Sequence, residues 1–189
     1  MGRLVYTAIT SLDGYVADAA GSFEWAAPDA QVHAAVNDLE REVGTHLYGR
    51  RMYEVMRVWE TMGDAPDDPA VIADYARIWR GADKIVYSTT LAATTTPRTR
   101  LERSFDPDAV RALKASTARD LSIGGPTLAA DAIRAGLVDE WHQFVTPVVV
   151  GGGTSWLPGG VTVHLEMLGT RRFDGGVVHL HLRTRPDGS

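Results

Sequence analysis

Between Arg3 and Thr10 apolar residues fall on both faces of an extended segment, which predicts a central strand. A polar stretch from Ser11 to Trp25 follows, and Pro28-Asp29 then opens a helix. Its Val32, Ala35, Val36, Leu39 and Val43 keep the i, i+3, i+4, i+7 spacing of one buried face, with Gly44 as the expected stop. Thr45–Gly49 predicts a short strand, and Met52, Val55, Met56 and Trp59 mark a second helix starting near Arg50. Val71, Ile72, Tyr75, Ile78 and Trp79 signal a third helix, ending at Gly81. Strands are expected at Lys84–Ser88, Arg100–Ser104 and Leu121–Ile123, with an Asp106-Pro107 helix start between the last two. After Gly136 the rhythm changes. Glu140–Val150, Val161–Phe173 and Val177–Thr184 read as strands, the last two joined at Asp174-Gly175-Gly176 as an antiparallel hairpin.

Strands alternating with helices, then a run of strands, imply an α/β fold. Its sheet is mixed and mostly parallel, with helices on both faces. With 189 residues and 44% hydrophobic content, the chain suits one domain, read as residues 1–185 with a frayed tail at 186–189. A net charge of −5 argues against nucleic acid as the main partner, and the lack of cysteine excludes disulfides and thiol catalysis. No apolar run approaches the roughly 18 residues that a membrane span needs, and Met1-Gly2-Arg3 leads straight into a strand-like segment. The expectation is a cytoplasmic protein with a small-molecule substrate and no membrane partner.

Ligands of open α/β sheets bind beyond the carboxyl ends of parallel strands. Three such ends carry anion-friendly groups here: Gly49-Arg50-Arg51, Ser88-Thr89-Thr90 and Gly124-Gly125-Pro126-Thr127-Leu128. Proline suits the first turn of a helix, and the amides of Thr127 and Leu128 would face an anion at the dipole's positive end. A tight strand-to-helix turn without a ligand is the other reading of the glycine pair. Taken together, the three ends suggest an extended polyphosphate, and the arginine pair suggests a nucleotide with an additional phosphate, NADPH over NADH.

The ordered set of motifs resembles the dihydrofolate-reductase-like fold and, within it, the reductase domain of the riboflavin-biosynthesis deaminase–reductases and their stand-alone relatives. The matching pieces are Thr10–Ala17, Tyr48–Glu54, Asp83–Ser88, Leu121–Leu128, Gly136–Glu140 and Pro147–Gly153. The resemblance implies NADPH as cofactor and reduction of a small heteroaromatic or imine substrate, of the 5-amino-6-(5-phosphoribosylamino)uracil reductase type. Dihydrofolate reduction and a non-catalytic nucleotide-binding module are the alternatives. By family, Ala8, Ile9 and the loop holding Gly14 and Val16 would face the nicotinamide. Gly49, Arg50 and Arg51 would hold phosphates, Ser88 and Thr89 the adenosine end, and Gly124 to Leu128 the diphosphate. It also implies a cis Gly124–Gly125 bond.

Asp13 and Asp29 are the candidate catalytic carboxylates, and Trp25 could wall a substrate ring. Each acid has a structural alternative, Asp13 in an Asp-Gly turn and Asp29 at a helix N-terminus. Two positions depart from the dihydrofolate reductase pattern: Ala30 stands where its acid is found, and Met52 replaces its threonine. No basic residue between Asp13 and Asp29 is available for a substrate phosphate. His179 and His181, alternating on one strand, are read as a solvated edge face, and no metal site is expected. Phe144–Val150 is apolar on both faces with no later helix to cover it, which predicts a homodimer. The rival is that the C-terminal hairpin covers this strand.

Overall fold

The computed structural model describes residues 1–185; the tail expected to fray lies outside them. The strands are β1 Leu4–Thr10, β2 Tyr15–Ala17, β3 Val43–Gly49, β4 Asp83–Tyr87, β5 Thr99–Glu102 and β6 Asp120–Gly124, then β7 Glu140–Val145, β8 Thr154–Ser155, β9 Leu165–Arg172 and β10 Val178–Thr184. The helices are α1 Ala30–Glu40, α2 Arg50–Met56, α3 Ala70–Gly81, α4 Pro107–Ser116 and α5 Pro126–Arg134. Eight strands form one sheet in the order β5-β4-β3-β6-β1-β7-β10-β9, and β2 pairs with β8 beside it. β1, β3, β4, β5, β6 and β7 run parallel, while β10 is antiparallel to both β7 and β9.

Strand alternation sorts the core into two layers. Leu4, Tyr6, Leu47, Ile85 and Ile123 point to the face covered by Val110 of α4 and by Leu128, Ala129, Ala132 and Ile133 of α5. Tyr48 and Val86 meet Tyr53, Tyr75 and Trp79 on the other face, and Phe144 meets Val32 of α1 and Phe173 there. Asp106 caps α4 by accepting from the Asp108 amide, with Pro107 in the first turn, as its sequence predicts.

Several boundaries differ from expectation, each for a local reason. Gly44 is not the end of α1, which stops at Glu40, but lies inside β3. A Cβ there would come within 2.9 Å of the Arg119 Cβ, so this glycine answers to a close approach. β7 ends at Val145, not Val150. The Thr146 amide and hydroxyl both donate to the Thr10 carbonyl, at 2.8 and 2.9 Å, and Pro147 brings no N–H. Val149 leaves the sheet and is 65% exposed. β9 starts at Leu165, because Val161 and Val163 pack into the core before the strand begins. No peptide among the described residues is cis, so the expected cis Gly124–Gly125 bond is corrected; Gly125 turns the chain through a left-handed φ of 95°.

Topology corrects two premises of the sequence reading. β7 lies between β1 and β10, and Phe144 is fully buried under α1, so the bare strand that motivated a dimer is covered within the chain. His179 and His181 do not lie on a solvated edge either, since β10 sits between β7 and β9. His142 Nδ1 lies 2.9 Å from His179 Nε2, and its ring stacks on that of His181 at 4.3 Å. Burial pushes His142 down to about 3 and His179 down to about 4, helped by neighbouring cationic groups, so both rings are neutral near pH 7.

Candidate functional site

Because six strands run parallel, their carboxyl ends share one edge of the sheet, and register fixes what stands beside what. Tyr48 pairs with Gly124, Gly49 with Tyr87, and Thr10 with Val145. The chain therefore brings Gly49-Arg50 and Gly125-Pro126 side by side: a Cβ built on Gly125 would lie 3.9 Å from the Gly49 nitrogen. Both glycines are N-cap residues without a side-chain cap, so the first amides of α2 and α5 have no partner from a capping side chain. The glycine pair also serves packing. A Cβ on Gly124 would stand 2.9 Å from the Tyr48 ring and 3.1 Å from Met52 Cγ, and one on Gly125 3.3 Å from Met52 Cβ.

Arg50 and Arg51 open α2 on this edge, both exposed. Arg50 is already oriented, with Nε donating to Glu54 Oε1 at 2.8 Å and Nη1 to Thr90 Oγ1 at 2.9 Å. The loop after β4 is tied down from several sides. The Ser88 hydroxyl accepts the amides of Thr90 and Leu91, at 3.2 and 3.0 Å, which commits it to its own turn. Arg103 Nη1 donates to the carbonyls of Ser88 and Leu91, and the Tyr53 hydroxyl accepts the amides of Thr95 and Thr96. Thr89 is exposed at the turn. The bonds that Tyr53 and Arg103 make to this loop have no local sequence signal, because their partners lie about 12 to 43 residues away.

Beyond β1 the chain builds a wall from two loops. The Leu12 amide donates to the Val148 carbonyl and the Trp156 amide to the Gly14 carbonyl, while β2 pairs with β8. Gly14 turns at φ 86°, and Val16 packs toward the α5-side core. Asp13 Oδ2 accepts the Gly151 amide at 2.7 Å and Oδ1 the Val150 amide at 3.2 Å. The Ser11 hydroxyl and these amides hold its carboxyl below the usual range. Ala8 and Ile9 send their side chains to opposite layers, toward α5 and toward α1. Gln143 Nε2 donates to Thr10 Oγ1 at 2.9 Å at the end of this strand.

Asp29 is the N-cap of α1, its Oδ1 accepting the Val32 amide at 2.9 Å. Its other oxygen lies against the β9–β10 turn, where a Cβ on Gly175 would approach within 2.5 Å. Trp25 is half-buried in a short 3-10 turn and donates its indole N–H to the Ser22 carbonyl at 3.2 Å. The edge thus joins the Arg50–Arg51 pair, the Ser88 turn and the Gly124–Leu128 start of α5. Asp13 sits on the wall beside β1, and Asp29 at the hairpin turn. With guanidinium and free amide donors on one edge, the residues present fit an extended anionic ligand.

Comparison with known proteins follows the same outline. The family model of the RibD C-terminal domain matches residues 3–179. The chain is 26% identical over 180 residues to the uncharacterized protein YyaP of Bacillus subtilis (strain 168), covering 94% of this chain and 93% of that one. Among solved structures, it is similar to a Shewanella sp. PV-4 protein provisionally named for riboflavin biosynthesis, with a TM-score of 0.75, 19% identity, and coverage of 97% and 99% of the two chains. It is also similar to the dihydrofolate reductase of Enterococcus faecalis complexed with NADP(H) and RAB-propyl, with a TM-score of 0.64, 14% identity, and 98% of each chain covered. No helix among the described residues is long and apolar enough to cross a membrane.

Proposed function

The chain belongs to the RibD C-terminal domain family, and on that premise we propose that it is an NADPH-dependent reductase of a small heteroaromatic or imine substrate. The observation that carries this reading is the pairing of Tyr48 with Gly124, which sets the Arg50–Arg51 pair beside the uncapped start of α5. Arg50 and Arg51 would hold the phosphate that distinguishes NADPH, since planar guanidinium forks suit phosphate oxygens. The amides of Thr127 and Leu128 would receive the diphosphate, with Gly124, Gly125 and Pro126 shaping the approach. Thr89 and the Ser88 turn would meet the adenosine end, and Ala8, Ile9, Gly14 and Val16 the nicotinamide.

The cofactor, when bound, supplies a hydride; the protein's part is to align two rings and keep water out. Asp13 enters this reading as a positioning residue, fixing the 147–153 loop over the end of β1 through its two amide bonds. Asp29 positions the start of α1, and Trp25 lines the substrate side. No Lys or Arg occurs between Asp13 and Asp29, which favours a substrate without a phosphate on that side. Single-turnover oxidation of NADPH with a panel of pteridines, aminopyrimidines and cyclic imines tests the reading. Turnover with at least one is expected. Tight NADPH binding with no turnover on any would point to a nucleotide-binding module instead.

The same reading includes a cytoplasmic two-fold dimer. Its support is β9, the edge strand of the sheet, where Met167 and Leu168 are 50% and 39% exposed. An exposed apolar edge is the feature that natural proteins cover or pair.

A further inference from the structure

At the opposite edge of the sheet, where the parallel strands begin, a second cluster of chemistry-bearing side chains is independent of the cofactor reading. Glu140 and His142 alternate on β7 and share one face, and His181 of β10 stands directly across from His142. Ligand-type atoms from all three lie within 4.8 Å of one another. Glu140 Oε2 is 3.2 Å from His181 Nε2 and 4.0 Å from His142 Nε2. A cavity of about 190 Å³ opens on them between the sheet and the end of α1, lined also by Arg3, Asp38 and Glu42.

We propose that Glu140, His142 and His181 form a binding site for a divalent transition-metal ion of the zinc class. Two imidazoles and one carboxylate are the donor set such ions prefer. Tetrahedral zinc with bonds of about 2.0–2.1 Å needs ligand atoms about 3.3 Å apart. The Glu140–His181 separation meets that value, His142 must close on Glu140 by about 0.7 Å, and all three ligand atoms already lie within 4.8 Å of one another. Two of the three ligands, Glu140 and His142, have an outer partner that leaves the inward atom available. Arg3 Nη1 holds Glu140 Oε1, so Oε2 faces the histidines. His142 Nδ1 lies 2.9 Å from His179 Nε2, so the tautomer in which His142 Nδ1–H donates to that nitrogen leaves His142 Nε2 turned inward for an ion. The open position faces the cavity, and the carboxylates of Asp38 and Glu42 at its rim favour a cation over an anion. The site lies one strand length from the nucleotide edge, the step from Val5 to Thr10 at about 3.3 Å per residue. Its ion would clamp β7 to β10 and does not take part in hydride transfer.

The test is titration of the untagged full chain with Co(II), read by visible absorption, and with Zn(II), read by calorimetry and thermal midpoint. One Co(II) per chain is expected, with the intense bands of a tetrahedral site and displacement by Zn(II). Zn(II) is expected to raise the midpoint. His181→Ala, on a half-exposed side chain, should weaken binding at least tenfold and remove the midpoint shift while the apo protein stays folded. The exposed His164→Ala should bind as the native chain does. No tetrahedral spectrum, or undiminished binding in His181→Ala and Glu140→Gln alike, would overturn the proposal.

Discussion

Tyr48 and Gly124 stand directly opposite each other in the β3–β6 ladder, and a Cβ on Gly124 would lie 2.9 Å from the Tyr48 ring. The glycine that begins the candidate nucleotide turn is thus also the one that lets α2 close over the sheet. Gly124→Ala forces Tyr48 and Met52 to move, and overpacking of this kind costs about 1–3 kcal/mol. Chemical denaturation should show that loss with no change in m-value. A neutral result would mean that α2 has room to shift, and that this glycine is free for a ligand alone.

Asp29 separates two roles cleanly. As an N-cap accepting the Val32 amide it should tolerate asparagine, which caps equally well, whereas Asp29→Ala should cost about 1 kcal/mol of stability. Turnover by Asp29→Asn close to that of the native chain is expected in the reductase assay. A collapse of kcat with an unchanged thermal midpoint would make Asp29 a catalytic acid.

How much of this was legible in the sequence depends on the range of the interaction. Helix starts announced themselves locally, as at Asp106-Pro107 and Pro126, and so did the Gly-Arg and Gly-Gly strand ends. What escaped was set at long range. Thr146 stops β7 by bonding back to Thr10, and Arg119 claims the space beside Gly44. His142 finds His179 and His181 only because β10 returns between β7 and β9. Periodicity reports burial, not the neighbour that does the burying, so an interior histidine strand read as a wet edge.

Glu40 makes stability depend on pH. Burial raises its carboxyl from 4.5 to about 7, so the folded chain keeps a proton that the unfolded chain releases between those values. Stability conferred by the protonated form is full below about pH 4.5 and is lost as pH rises to about 7. His46, whose Nδ1 lies 3.5 Å from Glu40 Oε2, is pushed down to about 3 by burial and acts in the other direction, costing stability as pH falls from about 6.5. Glu40→Gln should therefore match the native chain at pH 4 and exceed it by roughly 3 kcal/mol at pH 8. Denaturation curves across that range check it; an equal difference at both ends would show that folding leaves the Glu40 carboxyl at its ordinary value.

The dimer proposed for the β9 edge has a direct test. The native chain should sediment at twice the single-chain mass at micromolar concentration, and Met167→Lys with Leu168→Lys should return it to one chain without unfolding. Persistence of the single-chain species in the native protein as concentration rises would remove the dimer.

The central claim is tested most directly by the affinity of the native chain for NADPH and NADH, measured by calorimetry at one ionic strength alongside Arg50→Ala and Arg51→Ala. A charged phosphate contact is worth about 1.5–3 kcal/mol, so the native chain should prefer NADPH by roughly tenfold or more. Either substitution should weaken NADPH while leaving NADH nearly unchanged. Equal affinity for the two nucleotides, or equal losses for both in the variants, would contradict the account.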